Sequence, residues 1–142
     1  MAVPDPPGIP ADHAAVLAAN AAFYRAFEDA DLDAMSDLWE HSDRVSCVHP
    51  GWSALHGWGE VSASWATLFG GGQRLQFILT GEQVVVEGDI GWVSVEENLL
   101  AGDPAGGIGV SGTVSALNVF VRGATAWQMV AHHGAPVAER AG

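Results

Sequence analysis

The chain has one cysteine, one tyrosine and no lysine among its 142 residues; its five basic side chains are all arginine, set against 17 acidic ones. Each scarcity excludes something. A single Cys47 cannot form an internal disulfide, which fits a reducing compartment, and its apolar neighbours suit a buried, inert thiol better than a nucleophile. A net charge of −12 repels phosphate backbones and anionic lipid, so nucleic acid and membrane surfaces are excluded as primary partners. No apolar run approaches the ~20 residues of a membrane span. Residues 1–10 carry four prolines and no base, unlike a secretory signal; they read as a disordered tail, and residues 138–142 as a second tail. The expectation is a cytoplasmic protein with one domain over residues 11–137.

Tryptophan, in contrast, is plentiful. Six in so short a chain suggest an aromatic-lined cavity or a sizeable subunit interface. Helix formers from Ala11 to about Ala30 carry Val16, Asn20, Phe23 and Phe27 at three- and four-residue spacing, with Tyr24 beside them. Asp31 is placed to cap a second helix, Leu32 to about His41. A short strand, Arg44 to Val48, runs into a His49-Pro50-Gly51-Trp52 turn, and a third helix spans about Gly59 to Phe69. Gly70-Gly71-Gly72 ends that helix and precedes a strand, the reverse of a phosphate-binding loop. From Arg74 the period becomes two. Strands are predicted at about Arg74–Val86, Ile90–Leu100, Val110–Arg122 and Thr125–His133, with a glycine-rich loop from Ala101 to Gly109. Three helices followed by an antiparallel meander make an α+β fold.

Polar residues interrupt apolar faces at three places. In the strand from Ile90, Trp92, Ser94, Glu96 and Asn98 share one face and Val93, Val95, Glu97 and Leu99 the other. If the valine face packs on protein, the Trp92/Glu96 face is either solvated or lines a polar cavity. Asn118 lies between small residues in the next strand. In the last strand strict alternation puts Trp127, Met129, Ala131 and His133 on one side. Glu96, Asn98, Asn118 and His133 can therefore face one hollow, though a solvated face explains the same letters. A carboxyl buried among Trp and Val would have a raised pKa and could act as a general acid or base, with His133 holding the proton. A Glu–His hydrogen bond that only satisfies two buried groups is the plainer alternative. His49, His132 and His133 lack the compact spacing of a metal site, and no metal or cofactor is assigned.

The Phe23-Tyr24-Arg25-Ala26-Phe27 helix followed by Asp31, the Leu38-Trp39 pair, and the ending Trp127-Gln128-Met129-Val130-Ala131-His132-His133-Gly134-Ala135-Pro136 resemble the nuclear transport factor 2-like superfamily. Val48-His49-Pro50-Gly51-Trp52, Ser64-Trp65 and Trp92-Val93-Ser94-Val95-Glu96-Glu97-Asn98 are most similar to its small SnoaL-like members, and the ending is also similar to the association domain of calcium/calmodulin-dependent protein kinase II. The resemblance, over about residues 13–137, implies a cone in which a curved antiparallel sheet wraps three helices around a deep pocket. It also implies a homodimer formed through the outer sheet face. The superfamily holds cofactor-independent isomerases, cyclases and dehydratases alongside binding and assembly modules, so fold alone does not choose between them. Carried over by element, the implied site has Glu96 and His133 as catalytic residues. Tyr24, Trp39, His49, Trp52, Trp65, Trp92, Asn98 and Asn118 would line the cavity around a small, largely apolar ligand. The arginines of the kinase association pocket are absent, with Ser94 and Asn118 at the matching positions, which argues against an anionic ligand.

Overall fold

A computed structural model describes residues 10–72, 74–102 and 108–138. The sequence-based readings of both tails and of the middle of the glycine-rich loop fall mostly outside these residues. Three helices and a six-stranded mixed sheet make up the architecture: α1 (Ala11–Asp29), α2 (Leu32–Leu38), β1 (Ser46–Val48), β2 (Leu55–His56), α3 (Trp58–Gly70), β3 (Gln76–Glu87), β4 (Ile90–Gly102), β5 (Ile108–Arg122) and β6 (Trp127–Pro136). The spatial order is β2-β1-β6-β5-β4-β3, so the sheet is open rather than closed. This is the expected α+β layering, with helices packed on one face of a largely antiparallel sheet.

The α1–α2 hairpin is made by local chemistry. Ala30 takes a left-handed conformation (φ 51°), and the Asp31 N–H reaches back to the Ala26 carbonyl at 3.0 Å, closing α1. The Asp31 carboxylate then accepts from the Ala34 N–H at 3.0 Å and opens α2, as its position in the sequence predicts. α2 stops at Leu38 rather than continuing to His41, because Trp39 turns into an extended bridge with Met129 and the Glu40 N–H donates to the Met129 carbonyl. Val16, Asn20, Phe23 and Tyr24 are the buried stripe of α1, packed with Met35, Trp39, Val61 and Trp65 from the other helices and Val93, Val95, Phe120 and Met129 from the sheet.

Two features of the sheet departed from the sequence reading. β1 pairs parallel with β6 (Cys47 opposite His132), and the two-residue β2 adds an edge strand, so the meander gains two short neighbours. The second departure decides the site. β5 and β6 pair Val119 with Ala131 but Phe120 with Met129, which leaves Val130 as an extra residue. A bulge of this kind moves every later side chain to the opposite face. Trp127 and Met129 are buried as alternation predicts, but beyond the bulge it is His132 that is buried and His133 that is exposed.

Candidate functional site

The cavity that carries chemistry lies between α1, α3 and the inner face of β4 and β5. It has a volume of about 130 Å³, and its walls include Phe27, Leu68, Phe77 and Leu99 together with His49, Trp52, Glu97 and His132. His49 and Trp52 are brought there by the turn after β1. Pro50 and Gly51 occupy its second and third positions, Gly51 has φ +84°, and the Trp52 N–H returns to the His49 carbonyl at 2.8 Å. Trp52, 40% exposed, stands at the mouth with its ring edge-on to His49 at 4.9 Å.

Glu97 is the charged side chain of this cavity, only 3% exposed. Its neighbours on the inward face of β4 are Val93 and Val95, which is why the strand buries a carboxyl there: two valines and a leucine commit that face to the core. The Tyr24 hydroxyl donates to Glu97 Oε2 at 2.5 Å. Burial raises the Glu97 pKa to about 7, and the Tyr24 hydrogen bond opposes part of that rise. Desolvation and the adjacent carboxylate push the Tyr24 phenol well above its ordinary value, so it stays protonated and remains the donor.

The network continues through Asn118, whose Nδ2 donates to the Tyr24 oxygen at 3.1 Å and to Asn20 Oδ1 at 2.8 Å. Asn118 Oδ1 lies 2.6 Å from His132 Nδ1. His132 is fully buried against Phe23, and burial, reinforced by His49 and His133, lowers its pKa to about 3. Burial lowers His49 to about 4. Its Nε2 is 2.9 Å from Ser64 Oγ. Both imidazoles are thus neutral. Cys47, beside His49, has its thiol pushed up to about 12 by burial and is not a nucleophile at neutral pH.

Compared with the sequence reading, Tyr24, His49, Trp52 and Asn118 do converge on this region, Tyr24 and Asn118 from behind its wall. Glu96 and His133 do not. Glu96 lies on the outer face of β4, where Ser115 Oγ donates to it at 3.3 Å, and His133 is exposed on the outside with its Nε2 3.0 Å from Ser46 Oγ. Their inward neighbours Glu97 and His132 hold the expected places. Trp92 and Asn98 share the outer face with Glu96, and Asn98 bonds there to the Ile78 carbonyl and Thr80. Trp39 and Trp65 are fully buried core residues behind the cavity; Trp65 packs edge-on to Phe27 and His49. The signal that could have found Glu97 was its own face: a carboxyl in phase with Val93, Val95 and Leu99. Nothing in the letters around Val130 announces the bulge.

The model of the SnoaL-like domain family matches residues 16–139. The chain belongs to that family. A protein of the NTF2-like family from Streptomyces avermitilis, named as a candidate dehydratase, is similar to this SnoaL-like domain in structure, with a TM-score of 0.79 and 39% identity over 90% of this chain and 97% of that one. A candidate calcium/calmodulin-dependent protein kinase type II association domain from Thiobacillus denitrificans gives a TM-score of 0.77 and 34% identity, covering 86% and 94% of the two chains. The F-box protein SKIP8 of Arabidopsis thaliana is 29% identical over 119 residues, which are 84% of this chain. The SnoaL-like domain spans about half (48%) of that curated relative's length. No helix of the described residues is long and apolar enough to cross a membrane.

Proposed function

We propose that this SnoaL-like protein binds a small, largely apolar molecule in the Glu97 cavity and performs cofactor-independent acid–base chemistry on it, as an isomerase, cyclase or dehydratase. One observation carries the reading: a buried carboxyl with a pKa raised to about 7 stands in the wall of an apolar cavity, held by a tyrosine hydroxyl. At neutral pH such a group is present in both forms. As carboxylate it takes a proton from substrate carbon or hydroxyl; as carboxylic acid it returns that proton to another atom, or to a departing hydroxyl that leaves as water. Tyr24, bonded to one oxygen, orients the carboxyl and leaves the other to do this work. The likeness to the candidate dehydratase supports this class of reaction. The lone buried thiol and acidic charge support a cytoplasmic setting without nucleic-acid or membrane partners.

The competing reading is a ligand-binding or oligomerisation module without turnover. It draws on the likeness to the association domain and on apolar side chains of the outer sheet face, where Ile78 is 51% and Leu117 42% exposed and Trp92 is half-buried. Under either reading we propose a homodimer formed through that face. Native mass spectrometry of freshly isolated protein would identify a co-purifying molecule to serve as the candidate substrate. Glu97→Gln should then bind it but convert it about 10²–10⁴-fold more slowly. Equal turnover by Glu97→Gln and wild type removes Glu97 from the chemistry, and a bound molecule that wild type never consumes favours the module.

A further inference from the structure

The hydrogen-bond chain that ends at His132 fixes where its proton sits. Tyr24 has one hydroxyl proton and gives it to Glu97 Oε2, so its oxygen accepts from Asn118 Nδ2. The same Nδ2 supplies Asn20 Oδ1. The Asn118 amide is therefore turned with its oxygen toward His132, and an oxygen 2.6 Å from Nδ1 requires Nδ1 to carry the hydrogen. A neutral imidazole has only one N–H, so Nε2 is a bare acceptor. It has no partner among the described residues, although the ring is 1% exposed and lines the cavity. In His49 the hydrogen sits on the other nitrogen. The Ser64 hydroxyl donates to the Val61 carbonyl at 2.7 Å, so Ser64 Oγ receives the His49 Nε2 hydrogen and His49 Nδ1 is left as an acceptor, with the Cys47 thiol 3.9 Å away. The third polar side chain inside the cavity, Glu97, also accepts when ionised. Among the described residues no arginine lines the cavity, and the Trp52 indole stands at its mouth.

We infer that the cavity recognises its ligand through a group that donates a hydrogen bond, a hydroxyl or an N–H, received by the unpartnered Nε2 of His132. The ligand class is thus a neutral alcohol, phenol or amine-like molecule that buries about six to eight non-hydrogen atoms, the capacity of a cavity close to one that admits benzene. Carboxylates and phosphates are rejected, because the interior offers them lone pairs. This deepens the proposed function and rests on the same cavity, while leaving open whether Glu97 turns the ligand over.

Phenol, toluene and benzoate, titrated at pH 8 and followed through the backbone and methyl NMR signals of Leu99 and Val114, test the inference. Phenol and toluene are nearly isosteric, and toluene is the more easily desolvated. Phenol should nonetheless bind about five-fold tighter, and benzoate should not bind. Equal or tighter binding of toluene or benzoate overturns the donor rule while leaving the cavity as a binding site. Failure of all three to perturb Leu99 and Val114 overturns both the rule and the proposed binding function. His132→Phe should abolish the phenol preference. Should that variant not fold, the long-range ¹H–¹⁵N correlation spectrum of the wild-type imidazole decides the point. It should show the Nδ1–H tautomer with its Nε2 signal shifting on addition of phenol, and an Nε2–H tautomer overturns the inference.

Discussion

The Tyr24 hydroxyl and the Glu97 carboxylate, 73 residues apart in sequence, meet at 2.5 Å and join the first helix to the fourth strand. The bond serves both fold and site. It satisfies two buried polar groups that would otherwise be costly, and it partly offsets the rise that burial imposes on the Glu97 pKa.

Removing that donor is the first prediction. In Tyr24→Phe the carboxyl loses the interaction that favours its charged form, so Glu97 should titrate higher than in the wild type. The variant should also lose about 1–3 kcal/mol of stability, since Asn118 loses one of its acceptors as well. Urea denaturation and a carboxyl titration measure the two effects separately.

Stability should depend on pH through three buried groups, with opposite signs. Folded Glu97 keeps its proton to about pH 7 against an ordinary value of 4.5. Between those values the folded state binds more protons, so stability falls as pH rises, by about 3 kcal/mol in all, and levels off above 7. His49 and His132 titrate at about 4 and about 3 when folded, against 6.5. Below pH 6.5 the unfolded state binds more protons at both, so stability also falls as pH drops toward 3. Two histidines outweigh one carboxyl below 6.5, so stability rises from acid pH and reaches a plateau near pH 7, where the opposing contributions cancel. Glu97→Gln should remove the opposing contribution and roughly double the slope of the acid-side loss between 4.5 and 6.5. Chemical denaturation at a series of pH values would check both the plateau and the slope.

The outer face supplies a third prediction. Leu117, 42% exposed, lies on β5 opposite His133 of β6. In a homodimer formed through this face, Leu117→Glu buries an unpaired charge, and sedimentation velocity should show monomer where the wild type is dimeric. A wild-type monomer contradicts the proposed dimer, and a dimer untouched by the substitution places association elsewhere.

Much of this architecture was legible in the sequence because local rules and packing agree there. Pro10, Asp31 and the Gly70-Gly71-Gly72 run bound the helices, and the period-two run after Arg74 gave the strands of the meander. The site was less legible, for two physical reasons. Alternation says which side chains share a face but not which face is buried. In β4 the resemblance implied an inward Trp92, yet the aliphatic set of Val93, Val95 and Leu99 took the inner face and carried Glu97 inside with it. In β6 a single extra residue, Val130, exchanged the roles of His132 and His133. A bulge without glycine or proline is set by pairing with the neighbouring strand, which no single strand records. β1 and β2 show the same limit: at three and two residues, they exist only by virtue of what they pair with.

The central claim is that Glu97 is an acid–base group poised near neutrality inside the cavity. A ¹³C-detected titration of the glutamate carboxyls in labelled protein, with Glu97 assigned by its loss in Glu97→Gln, measures this directly. A midpoint close to pH 7 is the predicted result. A midpoint near the ordinary 4.5 would contradict the account, because a carboxyl fully ionised at neutral pH could not serve as acid and base in turn.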